Sequence, residues 1–402
     1  MAEYDIAIVG SGIVGLATAM ELLDRHPQLK LAILEKEAAI GQHQTGHNSG
    51  VIHSGIYYTP GSLKAKLCVA GKQRLIGFCE EHSITYDLCG KVIVATDEEE
   101  LPRLQNLYER GLANGVPGLE MIGPERLREI EPYCVGIKAL YSPTTGIVDY
   151  TQVARKYAEL VQARGGAILT NHEVVGIDHL DSQYTLRTAA GDVTARYVVS
   201  CAGLYSDHVA GMSGAPDTPK IVPFRGDYYI LKPERSGLVN GMIYPVPDPQ
   251  FPFLGVHFTR RMNGDIWLGP NAVLAFAREG YRRLDFNAGE LAESLGYSGF
   301  RALAMKYWRT GLDEMYRDFS KSGFLKSLQR YMPTLRAEDM VPGPSGVRAQ
   351  ALGTDGALVD DFIINHEGGT LHVRNAPSPA ATSSLAIGDM IADTVDEAFA
   401  LA

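Results

Sequence analysis

Three glycines, Gly10, Gly12 and Gly15, stand in the spacing GxGxxG, and an acidic residue, Glu35, follows twenty positions after the last of them. The run YDIAIVG, of strand character, leads into the glycines. LATAMELLDRH, apolar at helical spacing, leads out, and LKLAILE then ends on Glu35. Together they make one strand, turn, helix and strand. Glycine at the first position permits the tight turn, at the second lets the backbone come up against a pyrophosphate, and at the third lets the helix pack close. The helix start adds unpaired N–H donors and the positive end of its dipole. Glu35 is placed to accept from a ribose hydroxyl. The chemistry implied is dinucleotide binding, and this motif alone serves FAD and NAD equally.

Composition narrows the class further. A formal net charge of -10 argues against a general nucleic-acid binder, which needs a basic face for phosphates. The five cysteines, Cys68, Cys79, Cys89, Cys134 and Cys201, include no CxxC pair and no matching histidine spacing. Neither a disulfide framework nor a zinc site is indicated, no metal is expected, and a reducing cytoplasmic setting fits. The first apolar run, Ile6 to Val9, is too short for a signal peptide, and no later run reaches the roughly 18 apolar residues of a membrane span. At 402 residues the chain has room for two domains, or for one carrying a large insertion.

The elements that must position the glycine motif follow along the chain. Residues 86 to 145 change to short strands (KVIVAT) and a charged helical piece, an excursion into a second domain. A helix from Tyr150 leads into the strand AILTNHEVVGIDHL and then RYVVSCAG, which rejoins the nucleotide domain. Residues 216 to 285 alternate apolar and polar (FRGDYYILKP, MIYPVP, FLGVHFT, DIWLGP), as antiparallel strands do, and 287 to 335 turn helical. The tail gives strands GVRAQAL, DFIINH and TLHVRN, then a helix docking on the first domain. The expected fold is α/β: a Rossmann-type dinucleotide-binding domain from 1-85, 146-215 and 336-402, with an inserted antiparallel-sheet substrate domain from 86-145 and 216-335.

Four segments, GQHQTGHNSGVIHSGIYY (41 to 58), VVSCAG (198 to 203), VPFRGDYYIL (222 to 231) and NAPSPAATSSLAIG (375 to 388), together resemble the D-amino-acid-oxidase-like flavoenzymes. Within them the chain is most similar to the L-2-hydroxyglutarate oxidase/dehydrogenase family. The resemblance selects FAD. It implies that Thr45, Asn48, Ser49 and Gly50 lie near the pyrophosphate and ring edge, that Gly203 approaches the cofactor, and that Val174 contacts the adenine side by its backbone. It also implies that the helix after Ser378 and Pro379 aims its N-terminus at the flavin N1/C2 edge, where negative charge collects on reduction.

Oxidising an alcohol at carbon needs a group to take the hydroxyl proton as hydride leaves for flavin N5, and histidine suits this near neutral pH. His53 is the first candidate, because it directly follows the flavin-contacting segment and a histidine holds a comparable place in the related glycerol-3-phosphate-oxidising enzymes. His257 is its rival; His43 and His47 lie near the flavin segment, and no covalent attachment through them is expected. A 2-hydroxydicarboxylate brings two carboxylates, which the planar arginine fork holds well. By resemblance Arg348 is the first clamp; Arg225 is a second clamp or an orienting group, with a surface ion pair as its plain alternative, and Tyr57, Tyr58 and Tyr244 are weaker candidates. The activity implied is oxidation of L-2-hydroxyglutarate to 2-oxoglutarate. An amine or amino-acid oxidase of the same superfamily and a non-catalytic flavin-binding protein stand as alternatives.

Residues 301 to 336 carry eight basic and three acidic side chains, a local net charge of +5 within an acidic chain, interleaved with Leu, Met, Phe, Tyr and Trp308. Such a stretch suits a surface-lying helix on anionic lipid, or a solvated face packed on its own domain. The first reading places the protein peripherally on the cytoplasmic face of the inner membrane, where reduced flavin could pass electrons to a quinone; the sequence leaves a quinone and oxygen both open as the acceptor.

Overall fold

The computed structural model describes residues 2–248 and 255–401, except for the side chains of 310, 312, 313, 317 and 319. The strand Tyr4–Val9 lies between Leu31–Leu34 and Val193–Ser200, parallel to both. Ala167–Leu169 extends the sheet beyond Leu31–Leu34, and Thr370–Asn375 runs parallel to Val193–Ser200. At the centre of the sheet Ile6, Ala7, Ile8 and Val9 and the strand Leu31–Leu34 are apolar and buried throughout, as parallel strands covered on both faces must be. Helices Ile13–Arg25, Leu63–Glu81, Tyr150–Ala163 and Ser384–Phe399 cover one face and bury Leu16, Leu22, Phe78, Tyr157, Ile387 and Val395 in one core. The antiparallel pair Val174–Leu180 and Gln183–Thr188 completes the eight-stranded sheet with Ile363–Glu367.

A nine-stranded sheet forms the second layer, its spine the long antiparallel ladder between Lys220–Leu231 and Met340–Leu352. Strand alternation sorts its faces. Ile243, Phe258 and Leu268 point to a core shared with Phe324 and Leu328 of the helix Lys321–Gln329. Their neighbours Tyr244 and His257 point the other way, into a cavity toward the first sheet. A three-stranded sheet, Val51–Ile52, Gly146–Val148 and Tyr86–Asp87, stands apart from both.

Two expectations are corrected. The stretch 340–352, expected with the FAD-binding segments, is part of the nine-stranded sheet, because its backbone groups are satisfied along Lys220–Leu231 and not beside Thr370–Asn375. The run expected as one strand, AILTNHEVVGIDHL, is two: Ala167–Leu169 pairs with Leu31–Leu34, and Val174–Leu180 starts the antiparallel hairpin. Between them the chain turns at Asn171, whose φ is +59°, and His172 donates its N–H to the Glu35 carbonyl at 2.8 Å.

Candidate active site

A cavity of about 770 Å³ runs between the two large sheets, within the size range of ligand sites. One part is built on the glycine turn. Gly10 has φ +101°, and a Cβ there would stand 2.7 Å from the Cys201 carbonyl oxygen. A side chain is excluded both by conformation and by space, so backbone alone borders the cavity. Gly12 caps the following helix without a side chain, and the first helical N–H, of Ile13, donates to Thr45 Oγ1 at 3.0 Å. Gly15 does not line the cavity; a Cβ on it would stand 2.1 Å from the Gly10 oxygen, so this glycine serves helix packing. Glu35 lines the cavity while its carboxylate accepts from the N–H groups of Ser11 (3.0 Å) and Glu37 (2.9 Å).

Thr45, Asn48, Ser49, Gly50, Val174 and Gly203 also line it, as do Ser378 and Pro379. Asn48 is braced: its amide donates to the Thr45 carbonyl at 2.6 Å and its Oδ1 accepts from Gly50 N–H at 2.8 Å. The C-terminal helix begins only at Ser384, so the segment that meets the cavity is the turn before it, through Ala380, Ala381 and Thr382. His43 is engaged with Glu37 and Glu279 at 3.0 Å each, and His47 donates to the Ser345 carbonyl while stacking on Tyr281 at 4.0 Å.

Toward the nine-stranded sheet the cavity meets His53, His257, Tyr228, Tyr244 and Arg348. The His53 N–H donates to Thr382 Oγ1 at 3.1 Å, and Thr382 Oγ1 in turn meets Tyr150 Oη at 2.8 Å, which ties the histidine segment to the C-terminal turn. The His53 ring has a buried Nδ1 with no hydrogen-bond partner among the described residues. Burial lowers its pKa to about 3, and the charges of Lys91, His257 and Lys64 push the same way. His257 is likewise lowered to about 3, first by burial; its Nδ1 donates to the Gly255 carbonyl at 3.0 Å, leaving the Nε2 lone pair outward. Tyr244 stacks on it at 3.9 Å. Burial also pulls the Arg348 guanidinium below its ordinary value, with Tyr228 opposing. Both imidazoles are therefore neutral proton acceptors, and a cation faces the same space.

Besides Gly15, three candidates, Arg225, Tyr57 and Tyr58, fall outside the cavity lining. Arg348 stands directly across the ladder from Phe224, so Arg225, one residue along, projects from the opposite face. There it is 3% exposed and pairs with Asp227 (3.1 Å) and Asp318 (3.3 Å), a buried structural network in place of the expected clamp. Tyr58 does not border the cavity; its ring lies 5.7 Å from the Lys64 ammonium.

Residues that no motif marked also gather here. Lys91, 1% exposed, holds its ammonium over the rings of Tyr57 (4.6 Å) and Tyr244 (4.8 Å), and burial lowers it to about 7. Lys64 lines the cavity. The one available signal was a lysine opening the apolar run KVIVAT. At the edge of the cavity, two groups of acids and histidine, Asp207, His208 and Glu293 and then Glu37, His43 and Glu279, surround Arg278 and Lys36 respectively.

Residues 5–394 match the family model described as FAD dependent oxidoreductase. The chain is 54% identical to the human mitochondrial L-2-hydroxyglutarate dehydrogenase, over 99% of this chain and 90% of the relative. It is 48% identical to the L-2-hydroxyglutarate dehydrogenase of Escherichia coli, over 98% and 93%. Among solved structures it superposes on the FAD-bound L-alpha-glycerophosphate oxidase of Mycoplasma pneumoniae with a TM-score of 0.80 at 24% identity, over 98% of this chain and 95% of the other. The glycine oxidase of Geobacillus kaustophilus follows with 0.73 at 20%, over 98% and 95%. These likenesses at low identity describe the shared fold.

Proposed function

Since this chain belongs to the FAD-dependent oxidoreductases, and among them to the L-2-hydroxyglutarate dehydrogenases, we propose that it oxidises L-2-hydroxyglutarate at its hydroxyl-bearing carbon to 2-oxoglutarate. The cradle suits the cofactor: Gly10 offers bare backbone, and the start of the helix Ile13–Arg25 supplies a positive dipole end. Gly12, Thr45, Asn48, Ser49, Gly50 and Gly203 would hold FAD, with Val174 and Glu35 toward its adenosine. Bound FAD supplies the hydride acceptor.

The protein's own groups do the rest. Arg348 would hold a substrate carboxylate through parallel N–H bonds, which fixes the neighbouring carbon. His53, neutral and lining the same cavity as Arg348, would take the hydroxyl proton; that shared placement is the observation that carries this reading. His257 and Tyr244 would wall the substrate and help exclude water. We further propose that the electrons go on to a quinone at a membrane surface, with the protein docked peripherally on the cytoplasmic face. Met305, Trp308, Met315 and Tyr316 are exposed on the helix Ser298–Phe319, alongside exposed Arg301, Lys306 and Arg309. Among the described residues no helix is long and apolar enough to cross a membrane.

The test is anaerobic. Holoenzyme mixed with L-2-hydroxyglutarate should lose its visible flavin band, while the D-isomer, L-lactate, L-malate and glycine leave it. In His53→Asn the bleaching rate should fall by about 10²–10⁴, the usual contribution of a positioned base. Bleaching by glycine instead, or an unchanged rate in His53→Asn, would overturn the substrate or the role given to His53.

A further inference from the structure

We propose that Lys64 binds the distal carboxylate of the substrate, the one remote from the hydroxyl, and that the side chain of Asp360 holds this position until substrate arrives. The inference rests on the dicarboxylate reading above and names how the second carboxylate is recognised.

Lys64 is 9% exposed, yet it borders the cavity, and its ammonium lies 2.8 Å from Asp360 Oδ1. The partner is unlike it: the Asp360 side chain is 94% exposed and sits in the connection between Met340–Leu352 and Ile363–Glu367. An ion pair with one member in water is weakly held, because hydration of the free carboxylate nearly replaces the contact. A ligand carboxylate enclosed in the cavity would face the same ammonium with less competition from water.

Helix stability does not account for a lysine here. Lys64 is the second residue of the helix Leu63–Glu81, whose N-cap Ser62 accepts from Ala65 N–H at 3.2 Å, and the first turn holds no acidic residue. A cation at the positive end of a helix dipole is disfavoured. Lysine and dipole together instead make a place for an anion. Its ammonium lies 5.7 Å from the Tyr58 ring centroid, a contact that steadies it.

The remaining charges complete the argument. Arg348 and Lys64 border the one cavity that holds His53 and His257; the charge of Arg348 bears on His257 and that of Lys64 on His53, while Lys91 bears on both histidines. A substrate with a carboxylate at each end and its hydroxyl near one of them would occupy both Arg348 and Lys64.

Binding to the holoenzyme can be read from the flavin difference spectrum on titration with glutarate, a dicarboxylate that lacks the hydroxyl, and with pentanoate, its monocarboxylate counterpart. Lys64→Met should weaken glutarate about tenfold or more, the loss of one charge-assisted bond, and leave pentanoate within about twofold. Lys64→Arg should keep the preference for glutarate. Asp360→Asn should tighten glutarate about threefold, with pentanoate unchanged, because the resident competitor is gone. A Lys64→Met protein with the wild-type glutarate-to-pentanoate ratio overturns the inference, as does Asp360→Asn binding glutarate no tighter than wild type. Should Lys64→Met fail to fold, the Asp360→Asn titration decides, since that side chain stands in water. Failure of the broader reading looks different: wild-type flavin would not be bleached by L-2-hydroxyglutarate at all.

Discussion

Arg225 and Arg348 lie on neighbouring paired strands and look interchangeable as carboxylate clamps, yet one residue of register sends them to opposite faces. Their substitutions should therefore fail in different ways. Arg348→Met should raise KM for L-2-hydroxyglutarate about 100-fold with little change in stability, the loss of two charge-assisted bonds. Arg225→Met takes the buried cation from Asp318, 2% exposed, leaving it the Asn271 amide at 2.7 Å and the half-exposed Arg283, and should cost about 3 kcal/mol of stability while KM stays within about twofold. Steady-state kinetics and urea unfolding of the two variants check this; a KM effect in Arg225→Met would return that residue to the site. At this scale the glycine turn was legible because its φ of +101° is a local requirement; the Cys201 carbonyl oxygen, 2.7 Å from where a Cβ would stand, adds a constraint from far along the chain. Lys64 and Lys91 were not, since burial and neighbours give a lysine its role and neither is written in the residues beside it.

Helices and strands were read well where one face meets a core. The helix Ile13–Arg25 buries Leu16, Leu22 and Leu23 at the spacing its sequence shows. The basic stretch 301–336 suits a lipid-facing amphipathic helix or a solvated face packed on its own domain, and the structure divides its charges between the two. Arg330 pairs with Asp97 and Glu100, Arg336 with Glu338, and Lys321 donates to the Met340 carbonyl. The Arg317 side chain lies outside the described residues, which leaves Arg301, Lys306, Arg309 and Lys326 exposed. Membrane docking should thus depend on few groups. Co-sedimentation with vesicles rich in anionic lipid should fall several-fold in a Met305→Glu, Trp308→Glu double variant, since each charge opposes insertion of an apolar face. Equal sedimentation with neutral and anionic vesicles would sink the docking proposal.

For the molecule as a whole, burying neutral imidazoles ties stability to pH. His257 is held to about 3 and His372, 1% exposed, to about 4, both first by burial, against about 6.5 for an unfolded histidine. Below pH 6.5 the unfolded chain takes up protons that the folded one refuses, so this stability is present above 6.5 and is lost as pH falls toward 4. Each group should contribute a slope of about 1.4 kcal/mol per pH unit inside that window. The fall in Tm between pH 7 and pH 5 should be smaller in His372→Asn than in wild type; an equal fall would show that His372 does not carry its share. The sequence by itself determined the dinucleotide turn, the alternation of strand and helix, and the segments in which His53, His257 and Arg348 lie, because dihedral limits, hydrophobic period and short motifs act over a few residues. Only the tertiary structure decided which of those side chains share a cavity, that 340–352 belongs with 220–231, and that Lys64 and Asp360 meet. Ladder pairing and burial join residues more than a hundred positions apart, and no local pattern specifies such a pairing.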